Sequence, residues 1–243
     1  MESKQFASVD ELARCRYHNG IGINPHTALP LMRMFFKKKV GKMNQYYILN
    51  ESITEYFIAE VHEKVVWQGE VEQPLKLFEI SAFSELKERY NINSNEVGQI
   101  PYKDEWYVEK KFFCNPRRNI NDTQIKGFVV TRECHYKGAT ALRILDFYGK
   151  QELFAKIGAA FHEILLLNQY EYVDFYTLGF NEKYIESAGF RKREENCCNI
   201  IPNYFEPFER ENVDIWVQYD NENTVFFKAD GDQDRCNNFE EKI

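Results

Sequence analysis

One stretch constrains the fold of this chain more than any other, residues 173–190, VDFYTLGFNEKYIESAGF. Residues 173–178 are apolar on both faces apart from Asp174 and Thr177, the pattern of a strand in the middle of a sheet rather than at its edge. The run breaks at Gly179. It restarts at Asn181 as a short amphipathic piece and stops at Gly189-Phe190. A strand, a turn, a brief helix and a glycine stop in eighteen residues leave few architectures open.

The preceding segment narrows them further. From Lys150 the apolar period becomes helical: Leu153, Ile157, Ala160, Phe161, Ile164 and Leu165 share one face, and His162 lies off it and is expected to be exposed. Residues 126–132 and 141–147 read as strands of a hairpin whose turn contains Lys137-Gly138. A helix between two strands makes a right-handed crossover that joins parallel neighbours. Residues 141–147 and 173–178 are therefore expected side by side and parallel, joined over a helix at 150–168. The expected class is α+β or α/β: a mixed, largely antiparallel sheet with one parallel pair and helices packed on it.

The remaining chain gives weaker signals. Ser8 and Glu11 form a capping box for a helix over residues 9–18. Residues 31–40 are ambiguous between helix and strand. Residues 46–49, 56–61 and 64–68 read as an antiparallel meander, and Ser81 as the cap of a helix over 82–90. The polar segment 91–103, with Gly98 and Pro101, is the expected boundary. Beyond it, 106–113 reads as a strand, 115–119 as a loop, and, after a segment at 199–202, 214–219 as another strand. The expected organisation is an N-terminal portion at 1–103, a domain at 104–220, and an acidic tail at 221–243, frayed from Ala229.

Composition sets limits on function. Hydrophobic residues make up 44% and aromatics 16% of the 243, enough for a packed core. The formal charge of -7 argues against nucleic-acid binding. A local cluster of Arg33, Lys37, Lys38, Lys39 and Lys42 is either a solvated basic face or a site for an anionic ligand or surface. None of the six cysteines falls in a C-x-x-C or pairs with His at zinc spacing, and the N-terminus carries no secretory apolar region. Free thiols and a cytoplasmic location are expected. Asp230, Asp232 and Asp234 have calcium-loop spacing, but Arg235 stands where such a loop needs glycine, so no metal is expected.

The segments RILDFYGKQELFAKIGAAF, YVDFYTLGFNEKYIESAGF and IIPNYFEPF together resemble the second half of a GNAT-type (GCN5-related) acyltransferase domain. They also look like the less regular GNAT-like proteins of bacterial surface-polysaccharide biosynthesis. The resemblance covers residues 106–219, and the N-terminal portion would be part of a second GNAT-like unit, a substrate domain, or strands added to the same sheet. It implies an acyl-CoA lying in the gap between two splayed parallel strands, with its pyrophosphate at the start of the long helix.

On that resemblance, Leu145, Phe147, Tyr148, Gly149, Lys150, Gln151 and Asn181 would contact the cofactor. Backbone amides of 141–147 would polarise the thioester carbonyl. Asp146 would be the general base and Tyr184 the acid toward the leaving thiolate. The acceptor implied is a small molecule or glycan, such as an amino sugar. The chain departs from the family pattern in two places. It has Phe147-Tyr148-Gly149-Lys150-Gln151 in place of Q/R-x-x-G-x-G/A, and Ile185 where the family's short helix carries Tyr. A weak CoA site is therefore expected. A non-catalytic GNAT-like module and a Fem-like aminoacyl transferase are the alternatives.

Overall fold

The computed structural model describes residues 18–69, 74–92, 100–113, 118–121 and 127–231. The expected helix at 9–18 lies almost wholly outside them, as does most of the expected loop at 115–119. In chain order the elements are β1 (Gly20–Ile21), α1 (Ala28–Met34), β2 (Lys39–Lys42), β3 (Asn44–Leu49), β4 (Phe78–Ile80), α2 (Phe83–Arg89) and α3 (Glu105–Val108). There follow β5 (Arg118–Asn121), β6 (Gly127–Tyr136), β7 (Ala139–Gly149), α4 (Phe154–Leu167), β8 (Tyr172–Leu178), α5 (Glu182–Ser187), β9 (Arg191–Lys192), β10 (Tyr204–Phe205), β11 (Phe208–Glu209), β12 (Trp216–Tyr219) and β13 (Phe226–Phe227).

The main sheet has the order β4-β5-β6-β7-β8-β3-β9, and β13 also pairs with β8. Every pairing in it is antiparallel except β7 with β8, which run parallel with Leu142, Arg143 and Ile144 opposite Val173, Asp174 and Phe175. The hairpin, the long helix, the parallel pair and the short helix all stand where the periodicities place them. Lys137 and Gly138 turn the hairpin with φ of 48° and 81°, the double left-handed turn that suits strand twist. The sheet also takes strands from both sides of the boundary expected at 91–103, since β3 and β4 precede it.

α4 lies on one face of the sheet. Phe154 stacks on Phe175 at 4.9 Å and meets Phe180 and Phe190 at 5.3 Å and 5.6 Å. Gly189, at φ 84°, ends α5 and turns Phe190 into this cluster, where it is buried. That is what the glycine-phenylalanine stop in the opening stretch achieves. The glycine supplies a backbone conformation that L side chains rarely adopt, and the next side chain closes the core.

Several expectations are corrected. Residues 106–113 are helical, comprising α3 and a following π-turn at Glu109–Phe113. Asp104 caps α3 by accepting from the Tyr107 amide at 2.8 Å. Val108 and Phe112 are buried at helical spacing while Trp106 is exposed, so what resembled strand alternation is one apolar stripe. Residues 56–61 form no strand beyond a single bridge of Glu60 to Ile200, the one bridge that 199–202 makes. The amides of Phe57, Ile58 and Ala59 donate instead to the buried Glu171 carboxylate at 2.6–3.0 Å. Residues 64–68 are also irregular. The sequence expects Ser81 to cap the second helix, but the cap position is Ala82, with no side-chain bond. β12 joins a separate small sheet, β1-β12-β2. His162 is half-buried, stacked on Trp67 at 4.6 Å and bonded to Glu51 at 2.9 Å. Ala229 is fully buried, so the chain is not frayed as far as residue 231.

Candidate functional site

The parallel pair comes apart at an identifiable residue. On β6, Val130 faces Asp146 of β7 while the next residue, Thr131, faces Ile144, so Leu145 is an extra residue on β7. Pairing of β7 with β8 ends at Ile144 opposite Phe175, immediately before this bulge. A bulge bends its strand and increases its local twist. Beyond it, β7 and β8 leave a gap at their carboxyl ends, the usual place for a ligand site in a sheet with parallel strands.

That gap is filled by the chain itself. β13 enters it and pairs antiparallel with β8, Phe226 opposite Leu178 and Phe227 opposite Thr177. Thr177 Oγ1 donates to the Phe226 carbonyl at 2.8 Å. The two rings point to opposite sides of the sheet. Phe227 packs with Phe175 and Phe180 at 5.8 Å and 6.0 Å, and Phe226 packs with Tyr219 at 6.1 Å. Both are 1% exposed, which leaves no room for a third strand or a pantetheine arm.

The segment is fixed at each end. Upstream, the Val225 amide donates to the Ile100 carbonyl at 2.8 Å. Downstream, Lys103 Nζ stands 2.8 Å from both oxygens of Asp146 and 2.8 Å from Asp230. Lys111 donates to the Ala229 carbonyl, and the Phe227 amide donates to Asp230 at 2.8 Å. These contacts pair the buried charges of the strap, as burial demands, while the buried Thr224 hydroxyl makes no hydrogen bond.

The residues singled out from the sequence are distributed as follows. Asp146 is wholly buried and holds Lys103, the Phe147 amide at 2.9 Å and the Tyr148 hydroxyl at 3.1 Å. Burial pushes its pKa up to about 6, with repulsion from Asp230 adding and Lys103 opposing. A pKa near 6 suits a base, but the carboxylate faces no open space. Leu145, Phe147, Tyr148 and Gly149 are buried as well, and Tyr148 stacks on Phe128 at 4.1 Å. The Phe147 amide, expected to face a thioester, is committed to Asp146.

Lys150 is exposed at the start of the 3-10 turn before α4. Gln151 and Asn181 are brought together, the Gln151 side chain accepting from the Asn181 amide at 2.8 Å. Asn181 caps α5 by accepting from Lys183 at 3.1 Å. Tyr184 donates to Glu152 at 3.3 Å, and its pKa is raised by partial burial and by that carboxylate. Tyr184 packs against the α4-side cluster, whereas Asp146 faces Val130 on the opposite face of the sheet. The acid and base expected from the sequence do not meet.

Two features carried no sequence signal. One is the strap at 224–230. The other is Arg143, which crosses the parallel pair to grip Asp174 with Nε at 2.9 Å and Nη2 at 2.7 Å, while its nitrogens also reach the carbonyls of Pro202 and Asn203 at 2.9 Å and 2.7 Å. Away from the gap, a groove of about 290 Å³ lies between the C-terminal end of β3 and residues 65–68, lined by Ile48, Leu49, Val66, Trp67, Glu186 and Arg191 among others. Among the described residues no His, Cys, Asp and Glu gather as a metal site, and no helix is long and apolar enough to cross a membrane.

No protein-family model and no curated protein matches the chain. Among solved structures, a conserved protein of unknown function from Enterococcus faecalis, described as a probable N-acyltransferase, is similar at 12% identity with a TM-score of 0.48, over 78% of this chain and 45% of its own. A GCN5-related N-acetyltransferase from Anabaena variabilis is similar at 9% identity with a TM-score of 0.44, over 88% of this chain and 48% of its own. The chain thus spans about half the length of either.

Proposed function

We propose that this chain is a GNAT-like module that works by binding, not by acyl-CoA chemistry at the gap between β7 and β8. The observation that carries this reading is β13, whose Phe226 and Phe227 occupy the gap where an acyl donor would lie. The departures in sequence agree with it. One glycine, Gly149, replaces a glycine-rich loop, and each charge-assisted hydrogen bond lost to a pyrophosphate costs about 1.5–3 kcal/mol. The groove beside Trp67 is an open concavity that a small ligand, such as a sugar ring, would use, since an indole and a few polar groups suffice to orient one.

A second reading is favoured by the bulge at Leu145. An acyl-CoA-dependent N- or O-acyltransferase, with an amine or hydroxyl of an amino sugar as acceptor, needs two parallel strands that splay, and these do. It requires residues 224–230 to leave the gap.

Calorimetry with acetyl-CoA, longer acyl-CoAs and free CoA separates the two. The binding reading expects no saturable heat with any of them. Saturable binding that is lost in Lys150→Glu would overturn it in favour of the transferase.

A further inference from the structure

α1 buries none of its residues. Met34 and Phe35 are 72% and 73% exposed, and Leu31 is 45% exposed. Three large apolar side chains stand together in water at one short projection. Their support is firm: the Lys38 amide donates to the Met32 carbonyl at 3.0 Å, Lys37 reverses the chain at φ 51°, and β2 then pairs along β12.

The charges beside this projection are sorted. Lys38 pairs with Asp220, Lys39 with Glu222, and Lys42 with Glu195 and Asp214. Arg33 and Lys37 are exposed and make no ion pair among the described residues. Of five clustered cations, the two left unneutralised are those flanking the apolar tip.

Exposed apolar side chains flanked by unpaired cations suit a deformable apolar phase bounded by negative charge. Apolar side chains enter the acyl boundary of a bilayer while adjacent cations stay at the phosphates. We propose that the tip of α1 docks this chain on an anionic lipid surface, with Leu31, Met34 and Phe35 inserted and Arg33 and Lys37 at the headgroups. The net charge of -7 makes the rest of the molecule repel such a surface. The contact is therefore weak, orients α1 toward the lipid, and depends on salt. None of this rests on what the β7–β8 gap binds.

The test is co-sedimentation of the full chain with phosphatidylcholine vesicles, with and without phosphatidylserine. Binding is expected only with phosphatidylserine. Met34→Ser with Phe35→Ser should lower it by about ten-fold or more, and Arg33→Ser with Lys37→Ser by several-fold, with loss of the salt dependence. All four positions are exposed, so unchanged melting temperatures verify that the variants are folded. Equal partitioning of wild type and the apolar double variant would overturn the proposal, as would no binding to either vesicle. So would a concentration-dependent dimer, seen by light scattering and removed by the same variant, because a second copy would then cover the tip.

Discussion

Lys103 Nζ lies 2.8 Å from both carboxylate oxygens of Asp146, and a second carboxylate, Asp230, stands 2.8 Å away on the strap that closes the gap. One positive and two negative charges share a site from which water is almost excluded, Lys103 being 7% exposed and Asp146 0%. Burial alone would pull the Lys103 pKa down, but the two carboxylates outweigh it and hold it up. At Asp146 burial, and after it repulsion from Asp230, outweighs Lys103, and its pKa rises from 3.8 to about 6.

The pH dependence follows from that direction. Between about 3.8 and 6 the folded state binds the Asp146 proton more readily than the unfolded state does. Stability from this site is therefore gained as the pH falls through 6, is complete below 3.8, and is absent at neutral pH. Lys103→Met leaves two unpaired buried carboxylates and should cost about 3–5 kcal/mol at pH 7, and clearly less at pH 5. Asp146→Asn should flatten the pH profile. Urea unfolding at the two pH values measures both, and an equal cost of Lys103→Met at each would refute the raised pKa of Asp146.

Arg143 and Asp174 form a different kind of pair. They lie directly opposite each other across the last parallel rungs before the strands part. Asp174→Asn strips the counter-charge from a guanidinium that is 2% exposed and should cost about 3–5 kcal/mol. Arg143→Lys should not restore stability, because one ammonium cannot serve two carboxylate oxygens and two carbonyls in that fork geometry. High salt should leave these losses unchanged, since screening barely reaches a buried pair. A loss that shrinks in salt would show the pair to be solvated.

These pairs also mark where sequence reading reaches its end. α4 and α5 are legible because their apolar residues repeat at helical spacing, β7 and β8 because their apolar runs are sustained, and Gly189 signals its own turn. β13 is two residues long and has no period to detect. The bulge at Leu145 depends on the register with β6, which no local pattern encodes. Residues 57–59 look like strand because they are apolar, yet their amides are claimed by Glu171, more than a hundred residues away. Asp146 reads as a base at a strand end. Its partner Lys103 closes a polar segment that reads as a linker, so the pair is visible only in three dimensions.

The thiols give a graded prediction. Cys134 is buried, and burial raises its pKa against the pull of Arg143 and Arg132, so its thiolate is scarce. Cys198 is exposed, and Cys197 is half-buried with its sulfur 3.6 Å from the Tyr47 hydroxyl. A thiol reagent should therefore label Cys198 first, Cys197 more slowly, and Cys134 only on unfolding. The other three cysteines, Cys15, Cys114 and Cys236, lie outside the described residues. The denatured, unreduced chain should titrate six thiols, and a count of four or fewer would contradict free cysteines.

Gly158 offers the sharpest single-residue test of the packing behind the Gly189-Phe190 stop. In an exposed helix, glycine to alanine stabilises by about 1 kcal/mol. At Gly158 a Cβ would stand 2.0 Å from the Ala188 carbonyl oxygen, the same oxygen that accepts from Trp67 Nε1 at 3.0 Å. The obstacle is backbone, so it cannot rotate away. Gly158→Ala must push α4 from the end of α5, loosening Phe190 and the Trp67 bond together, and should destabilise by a few kcal/mol. Gly138→Ala is the control. Its Cβ meets nothing within 4 Å, and only its φ of 81° opposes the change, so it should cost about 1 kcal/mol. Thermal and urea unfolding of both variants measure the difference. If Gly158→Ala proves no worse than Gly138→Ala, α4 and α5 do not approach as closely as described, and Gly189 ends a helix that rests on something else.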